Sequence, residues 1–561
     1  MKNNVLIGVA WPYVNGELHI GHFAGYLLPA DICSRYNRLL GKKVLMVSGS
    51  DCFGTPITVE AEKTGVTPEQ IVEKYHKKNV DLFTKTLGLT YDLYTKTDTP
   101  NHIKVVQDFF IKLLEEGYIF VGTSEQYFSK AEQRFLPDRY VVGVCPNCGF
   151  KDSRSDQCDD CGKLIDQGQL INPKSTISGS KVEQRSTDHY FLDWPKLQNK
   201  LKVFVTEREG RWKKWVFKET MGWLNEGLKA RAITRDISWG VPLPVDRIPK
   251  DKQIEHIEDK RLYVWFDAII GYLSASKLWA EENQQDWKEF WYGSDLKHYY
   301  FMGKDNLVFH TLFWPGKLMA YDPELHLPDI PSINMFLNLD GVQFSKSRGV
   351  SLGIKEMVEY FDNDVLRFYL TLIMPEAKDA SFNWVDFKDS TNNLLIGNLG
   401  NLINRTLSIG SKTDIEQIKD CRPAQETLDR ITDIYAKSMV SLDNCEFKNH
   451  LKLILELSSY GNKICNEKKI WKLYKDDKKA LSNVLCELYS IILALGYLMD
   501  PLMPKSSRKV FSYFSLEKPI RWPVLNNMGI ELISLIEKAE ISKDIKPLYK
   551  KIDESDIENF N

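Results

Sequence analysis

Cys145, Cys148, Cys158 and Cys161 spell C-x2-C-x9-C-x2-C within a chain of 561 residues. Thiolates at that spacing can take the four corners of a tetrahedron around Zn2+, and Pro146, Asn147, Gly149 and Gly162 supply tight turns for the two knuckles. Saturation by four cysteines leaves no open coordination position, so the expected ion is structural; the plain alternative is four reduced thiols. The other six cysteines are scattered, as small buried hydrophobes of a reducing compartment are. A second cluster is His19-Ile20-Gly21-His22, placed where an apolar run hands over to a helical pattern. Two imidazoles beside helix N–H groups suit a phosphate group that gains charge, although two ordinary turn histidines would read the same way. Far downstream, Ser345-Lys346-Ser347-Arg348-Gly349 forms a loop of small residues around a lysine. A point-charge ammonium on such a loop can clamp a triphosphate tail until pyrophosphate leaves; alone, the loop is more simply a solvated one.

These groups need elements to hold them. Residues 5–10 form a short apolar run ended by Trp11-Pro12, and Phe23, Leu27 and Ala30 then recur at helical spacing. The pattern continues past Pro29, which predicts a kink, and stops at Gly41. A buried strand at 44–47 delivers Ser48-Gly49-Ser50-Asp51 at its carboxyl end. Strand, helix and strand with polar groups at strand ends is the layout of a doubly wound, Rossmann-type α/β nucleotide site. Between about 123 and 225 the pattern breaks into the cysteine cluster and polar segments, an insertion between two α/β halves. Strands are expected again at 262–266 and 298–302, and Gly303-Lys304-Asp305 opens a helix. Beyond Asp389 only helical patterns remain, around 394–403, 451–457 and 484–498, a bundle. The resulting division is a catalytic α/β first half at 1–118, an insertion with a zinc knuckle at 119–231, and the α/β second half at 232–325. A region carrying the Lys346 loop follows at 326–390, then an all-α domain with a charged tail at 391–561. At about 150 residues per domain, three or four domains are expected.

Bulk composition narrows the class further. Lys+Arg at 74 against Asp+Glu at 76 gives a net charge of −2, which excludes a globally basic nucleic-acid coat but not a local basic patch. The hydrophobic share of 43% and charged share of 27% argue against disorder. The longest apolar run, 491–499, is too short to span a bilayer, and the N-terminus lacks the features of a signal peptide, so no membrane partner and a cytoplasmic location are expected.

Taken together, the His19–His22 motif and the Phe344-Ser345-Lys346-Ser347 loop resemble the HIGH and KMSKS signatures of class I aminoacyl-tRNA synthetases, and the chain as a whole resembles the methionyl-tRNA synthetase family. Gln343 and Phe344 depart from the family's first lysine and methionine, whereas its second lysine is kept as Lys346. The resemblance implies a ligase that activates L-methionine with ATP and Mg2+ and charges initiator and elongator tRNA(Met). It implies catalytic roles for His19, His22 and Lys346, and ATP contacts from these with Gly21, Lys304, Asp305, Ser345 and Ser347. Read by itself, Asp305 could be a plain N-cap. The resemblance further implies a methionine site of Trp11, Tyr13, Asp51, Arg235, Trp265, Ala268, Tyr272 and His310. Asp51 would receive the ammonium, Arg235 would lie near the carboxylate, and His310 would form the polar end of an aromatic wall. A thioether fits such a wall, and a polar contact is needed because one methylene discriminates by only about 1–3 kcal/mol. Ile269 stands where the best-known bacterial form of the family has proline, which implies a wall of different shape. Asn401, Arg405 and Trp471 match anticodon readers, Ile470 replaces a proline before the tryptophan, and seven lysines between 463 and 479 suit phosphate contact. An insertion of about 100 residues is too small for the editing domain of the leucine, isoleucine and valine enzymes. A monomer is expected, since the helical region ends without an appended tRNA-binding barrel. The competing readings are another nucleotidyltransferase with an HxGH motif and an inactive tRNA-binding relative.

Overall fold

The structure, a computed structural model, describes residues 3–136, 140–155, 157–165, 168–343 and 352–558. The chain forms two compact units. One comprises Met1–Glu17, Leu45–Lys85 and Tyr91–Pro331; the other comprises Leu18–Val44, Thr86–Thr90 and Ser332–Asn561.

The first unit is built on a five-stranded sheet. Its strands are β1 (Asn4–Val9), β2 (Lys43–Ser50), β3 (Leu93–Lys96), β4 (Leu296–Gly303) and β5 (Ile330–Asn334), in the order β5-β4-β1-β2-β3. β1 pairs in parallel with β4 from Asn4↔Leu296 to Val9↔Phe301, and β2 with β3 from Val47↔Leu93 to Ser50↔Lys96. Val5, Leu6, Ile7 and Val9 are all buried, as a parallel strand covered on both faces requires. Strand order reverses between β1 and β4, and ligands of doubly wound folds bind beyond the carboxyl ends at such a switch point. Those ends deliver Trp11 to Tyr13 from β1, Asp51 from β2 and Lys304-Asp305 from β4.

The insertion leaves this sheet as an antiparallel ribbon, Ile119–Ser129 against Glu183–Leu192, registered from Ile119↔Leu192 to Phe128↔Glu183. It carries a small core of Tyr127, Leu136, Tyr140, Val141, Ile165 and Leu170 packed around Cys145 and Cys158. The run 262–266 differs from its expected strand: the strand is Lys260–Leu262, and Val264–Asp267 is a helical turn. Val-Trp-Phe has strand propensity, but here the carbonyls of Trp265 and Phe266 accept from the ammonium of Lys317 at 3.2 and 2.8 Å rather than from a neighbouring strand.

The second unit is helical. It contains α1 (Leu28–Leu39), α2 (Asn363–Leu372), α3 (Asn401–Gly410), α4 (Gln425–Asp443), α5 (Phe447–Lys468) and α6 (Lys478–Met499). The disturbance expected at Pro29 takes the form of a π-helical segment, Phe23–Leu27, directly before α1. Pro29 lacks the N–H that would bond the carbonyl of Gly25, and the Asn334 side-chain amide donates to that carbonyl instead, at 3.0 Å. α1 is fastened to α2 by a fully buried ion pair, Arg367 to Asp31 at 2.7 Å. The same guanidinium donates to the carbonyls of Pro501 and Leu502. By length and composition α6 could cross a membrane, yet Leu481, Leu485, Leu488, Ile491 and Leu495 are wholly buried as the core of the bundle. The C-terminal tail is docked on its own unit: Asn392 exchanges hydrogen bonds with the backbone of Ile552 at 2.7 and 3.0 Å, and Tyr549 is buried.

Candidate functional site

In the second unit, His19 precedes a single helical turn, Ile20–His22, that runs into the π segment. The backbone N–H of His19 donates to His22 Nδ1 at 3.2 Å, so a neutral His22 carries its proton on Nε2. The two rings lie 3.9 Å apart between centroids. The sequence-predicted loop residues Ser345, Lys346 and Ser347 lie outside the described residues. Its flanks are described. On the exit side, His19 pairs with Gly353 in an isolated antiparallel bridge, Ile20 N donates to Leu352 O at 3.0 Å, and Ile354 N donates to Leu18 O at 3.2 Å. On the approach side, Asn338 pairs with Gln343 across a hairpin turned by Asp340 and Gly341, both at positive φ. The histidine motif and the loop's exit are therefore joined through backbone hydrogen bonds.

The first unit holds the residues of the expected amino-acid site. Trp11 fits a slot between two glycines: a Cβ on Gly49 would lie 2.1 Å from its ring, and one on Gly271 2.6 Å. Tyr13 and Asp51 form a parallel bridge, with Asp51 N donating to Pro12 O at 2.9 Å. Asp51 is buried, and its Oδ1 has no protein partner among the described residues. Burial and the nearby charge of Asp267 push the Asp51 pKa well up. An ammonium delivered there would supply the missing counter-charge. Arg235 stacks its guanidinium 3.9 Å above the ring centroid of Tyr263 and donates to the carbonyls of Ala232 and Thr234.

Trp265 lies flat on Phe309, centroids 4.0 Å apart and planes 9° off parallel, while Ala268 and Tyr272 are buried. His310 sits on a π-helical turn, Phe309–Phe313, and burial lowers its pKa to about 4, so the ring is neutral near pH 7. Its Nδ1 is 3.0 Å from the Asn306 carbonyl, which can only accept, so the proton is on Nδ1. Nε2 then accepts from the Tyr272 hydroxyl at 2.7 Å. This buried, oriented pair is the kind of polar end that a pocket for a flexible thioether requires. Lys304 and Asp305 lie in a one-turn segment at the end of β4. Gly303 occupies its N-cap, and Asp305 is the second residue of the turn. Asp305 Oδ1 lies 2.7 Å from where a Gly303 Cβ would stand.

The cysteine knuckles are matched in their backbone. Gly149 N donates to Cys145 O and Gly162 N to Cys158 O, each at 3.0 Å, with both glycines at positive φ. All four Sγ atoms lie within 4.8 Å of one another; Cys145–Cys161 are 4.0 Å apart and Cys148–Cys158 3.7 Å. A tetrahedron with Zn–S bonds of about 2.3 Å has edges of about 3.8 Å, so this donor set fits zinc. Burial raises the Cys145 thiol pKa, but the backbone N–H groups of Asn147 and Cys148, together with the Cys148 and Cys158 thiols, outweigh it and bring the value to about 7.

In the helical unit, Asn401 and Arg405 share a face of α3 and line a groove of about 520 Å³. Its other walls include Asn398, Ser459, Asn462 and Asn466. Arg405 reaches Asn466 Oδ1 at 3.0 Å, and its guanidinium carbon is 5.6 Å from the ring centroid of Trp471. Trp471 is 43% exposed. Ile470 is buried and opens a short helix after Lys469 turns the chain at positive φ. Asn398 and Asn466 were missed in sequence, although their spacing of three or four from Asn401 and Asn462 puts each on the same helix face as its neighbour.

A family model described as tRNA synthetases class I (M) matches residues 5–407. A methionine–tRNA ligase of Roseiflexus sp. (strain RS-1) is 40% identical over 530 residues, covering 91% of this chain and 86% of the relative. One from Dehalococcoides mccartyi (strain ATCC BAA-2100 / JCM 16839 / KCTC 5957 / BAV1) is 39% identical over 565 residues, covering 100% and 99%. The fold is that of Mycobacterium tuberculosis methionyl-tRNA synthetase, a structure in complex with methionyl-adenylate, with a TM-score of 0.76, 20% identity, and coverage of 98% of this chain and 100% of that one. With a family match across most of its length and relatives matched nearly end to end, the chain belongs to the class I tRNA synthetases (M), the methionine–tRNA ligases.

Proposed function

We propose that the chain activates L-methionine with ATP to methionyl-adenylate and transfers the methionyl group to the terminal adenosine of initiator and elongator tRNA(Met). The methionine ammonium binds Asp51, the thioether lies against Trp265 with the Tyr272–His310 pair at its end, and Arg235 serves the carboxylate. Trp11, Tyr13 and Ala268 shape the rest of the site. The carboxylate oxygen attacks the α-phosphorus of ATP·Mg2+ and pyrophosphate leaves. His19, His22 and Lys346 stabilise the charge growing on the phosphate oxygens, with Gly21, Ser345, Ser347, Lys304 and Asp305 contacting the nucleotide. The adenosine hydroxyl of the tRNA then attacks the acyl carbon and AMP leaves. Catalysis is by positioning and electrostatics, without a protein nucleophile. Cys145, Cys148, Cys158 and Cys161 would hold a structural zinc ion that fastens the two knuckles. Asn401, Arg405 and Trp471 read the anticodon of the bound tRNA, with bases stacking on the exposed indole.

The observation that carries the phosphate-site reading is the pairing of His19 with Gly353, which ties the histidine motif to the exit of the Lys346 loop. Methionine-dependent exchange of pyrophosphate into ATP tests the whole assignment. Exchange that depends on another acid would point to a different adenylate-forming enzyme, and no exchange with intact tRNA binding to an inactive relative. His22→Ala should abolish exchange with the circular dichroism spectrum unchanged; near-normal exchange would remove His22 from the mechanism.

A further inference from the structure

Lys317 lies on the helix Trp314–Tyr321 among apolar neighbours and is only 1% exposed. Burying an ammonium costs several kcal/mol unless it is compensated, and a methionine would pack at such a position without that cost. The compensation it finds is local to one turn. Nζ donates to the carbonyls of Trp265 and Phe266 at 3.2 and 2.8 Å and lies 4.5 Å from the Phe266 ring centroid. These residues stand where the turn Val264–Asp267 gives way to a 3-10 turn, Ala268–Ile270, before the helix Gly271–Asn283. The ammonium therefore grips the backbone that carries Trp265 and Ala268, at the point where regular helix is interrupted.

The next residue, Asp267, is fully buried, and neither carboxylate oxygen has a hydrogen-bond partner among the described residues. His102 Nε2 is 3.6 Å away, with its Nδ1 engaged by the Ser274 hydroxyl at 2.8 Å. Burial raises the Asp267 pKa against the opposing pull of Lys317, and burial brings Lys317 down to about 7 against the opposing pull of Asp267. The direct contacts of Lys317 are thus with the wall of the expected methionine site, one residue before the buried acid Asp267.

We propose that Lys317 is a positioning residue of the methionine site, clamping the Trp265–Phe266 carbonyls to fix the aromatic wall. The assignment rests on the function proposed above and deepens it. It is tested in the full-length enzyme by pyrophosphate exchange with methionine and ATP varied separately. Lys317→Met should raise the methionine KM about 10–100-fold, the loss of charge-assisted hydrogen bonds to two carbonyls, and leave the ATP KM within about two-fold. The pair Lys317→Met/Asp267→Asn removes both charges. It should regain thermal stability relative to Lys317→Met while the methionine KM stays high, because the carbonyl clamp is still missing. A methionine KM within two-fold of wild type in Lys317→Met, an equal rise in both KM values, or a normal methionine KM in the pair would each overturn the proposal. Should Lys317→Met not fold, the pair Lys317→Met/Asp267→Asn, which leaves no unpaired buried charge, decides on the same split of methionine and ATP KM values. A wild-type enzyme without methionine-dependent exchange would instead overturn the function on which the proposal rests.

Discussion

Arg367→Met should be among the most damaging single substitutions remote from the phosphate and amino-acid residues. Arg367 and Asp31 are both fully buried and 2.7 Å apart, and Asp31 also accepts from Arg35 at 2.8 Å and from the amide and hydroxyl of Thr90, each at 2.9 Å. Burial alone would raise the Asp31 pKa, but Arg35 and Arg367 outweigh it and hold the value at about 2. Burial also lowers the Arg367 pKa, yet a guanidinium starts so far above neutrality that Asp31 governs the titration. A folded-state pKa below the unfolded one means the contribution is complete above about pH 4 and is lost as pH falls towards 2; the shift corresponds to about 2 kcal/mol. Removing the arginine leaves a buried carboxylate short of one cation and two carbonyls without their donor, an expected loss of about 3–5 kcal/mol at pH 7. Urea unfolding followed by circular dichroism and by tryptophan fluorescence measures it; both probes are needed because two compact units need not unfold together. The gap between variant and wild type should narrow below pH 4. Replacing both partners, Asp31→Leu/Arg367→Met, should recover much of the loss, because no unpaired carboxylate remains. A loss under about 1 kcal/mol for Arg367→Met, or a double variant no more stable than the single one, would refute the reasoning.

Purified protein should carry one zinc ion per chain by elemental analysis, and Cys158→Ser should lose it and expose the insertion to proteolysis; full retention would show that the thiols are not its ligands. Trp471→Ala should spare pyrophosphate exchange and reduce the kcat/KM of aminoacylation by roughly 10–100-fold, the loss of base stacking worth about 1–3 kcal/mol; equal loss of both activities would remove Trp471 from tRNA reading. Gly49→Ala should displace the Trp11 indole and weaken methionine binding, since its Cβ would fall 2.1 Å from the ring; an unchanged methionine KM would separate Trp11 from that site.

What could be read in the sequence was chemistry concentrated in short stretches. The cysteine knuckles and the glycines that turn them lie within seventeen residues, and their backbone and thiol geometry follows directly. The apolar runs behind β1, β2 and β4, the arrest of the first helix at Gly41 and the helical character beyond residue 389 were likewise visible as local periodicity. Pro29 announced a disturbance but not its remedy, because the amide that answers it comes from Asn334, some three hundred residues away. The strand expected at 262–266 failed for the same kind of reason: Lys317, on a different helix, takes carbonyls that strand propensity would have committed to a sheet. Arg367 and Asp31 look like ordinary surface charges in sequence, and only the packing of α1 on α2 makes them partners. The groove asparagines were partly legible, with Asn401 in view and Asn398, Asn462 and Asn466 passed over, since helical spacing shows a shared face but not which face is concave.

The Arg367 node also sets an order of events during synthesis. Asp31 leaves the translating ribosome about 470 residues ahead of Leu502, whose carbonyl the same guanidinium holds. At about 5–20 residues per second, roughly half a minute to a minute and a half separates the two. Arg367 itself emerges about seven-tenths of the way through, so for most of that interval the helix following the histidine motif lacks its buried ion-pair partner. The nascent chain must therefore keep that helix waiting, and a polypeptide halted before Arg367 emerges should leave it open to proteases, whereas one halted after Leu502 emerges should protect it.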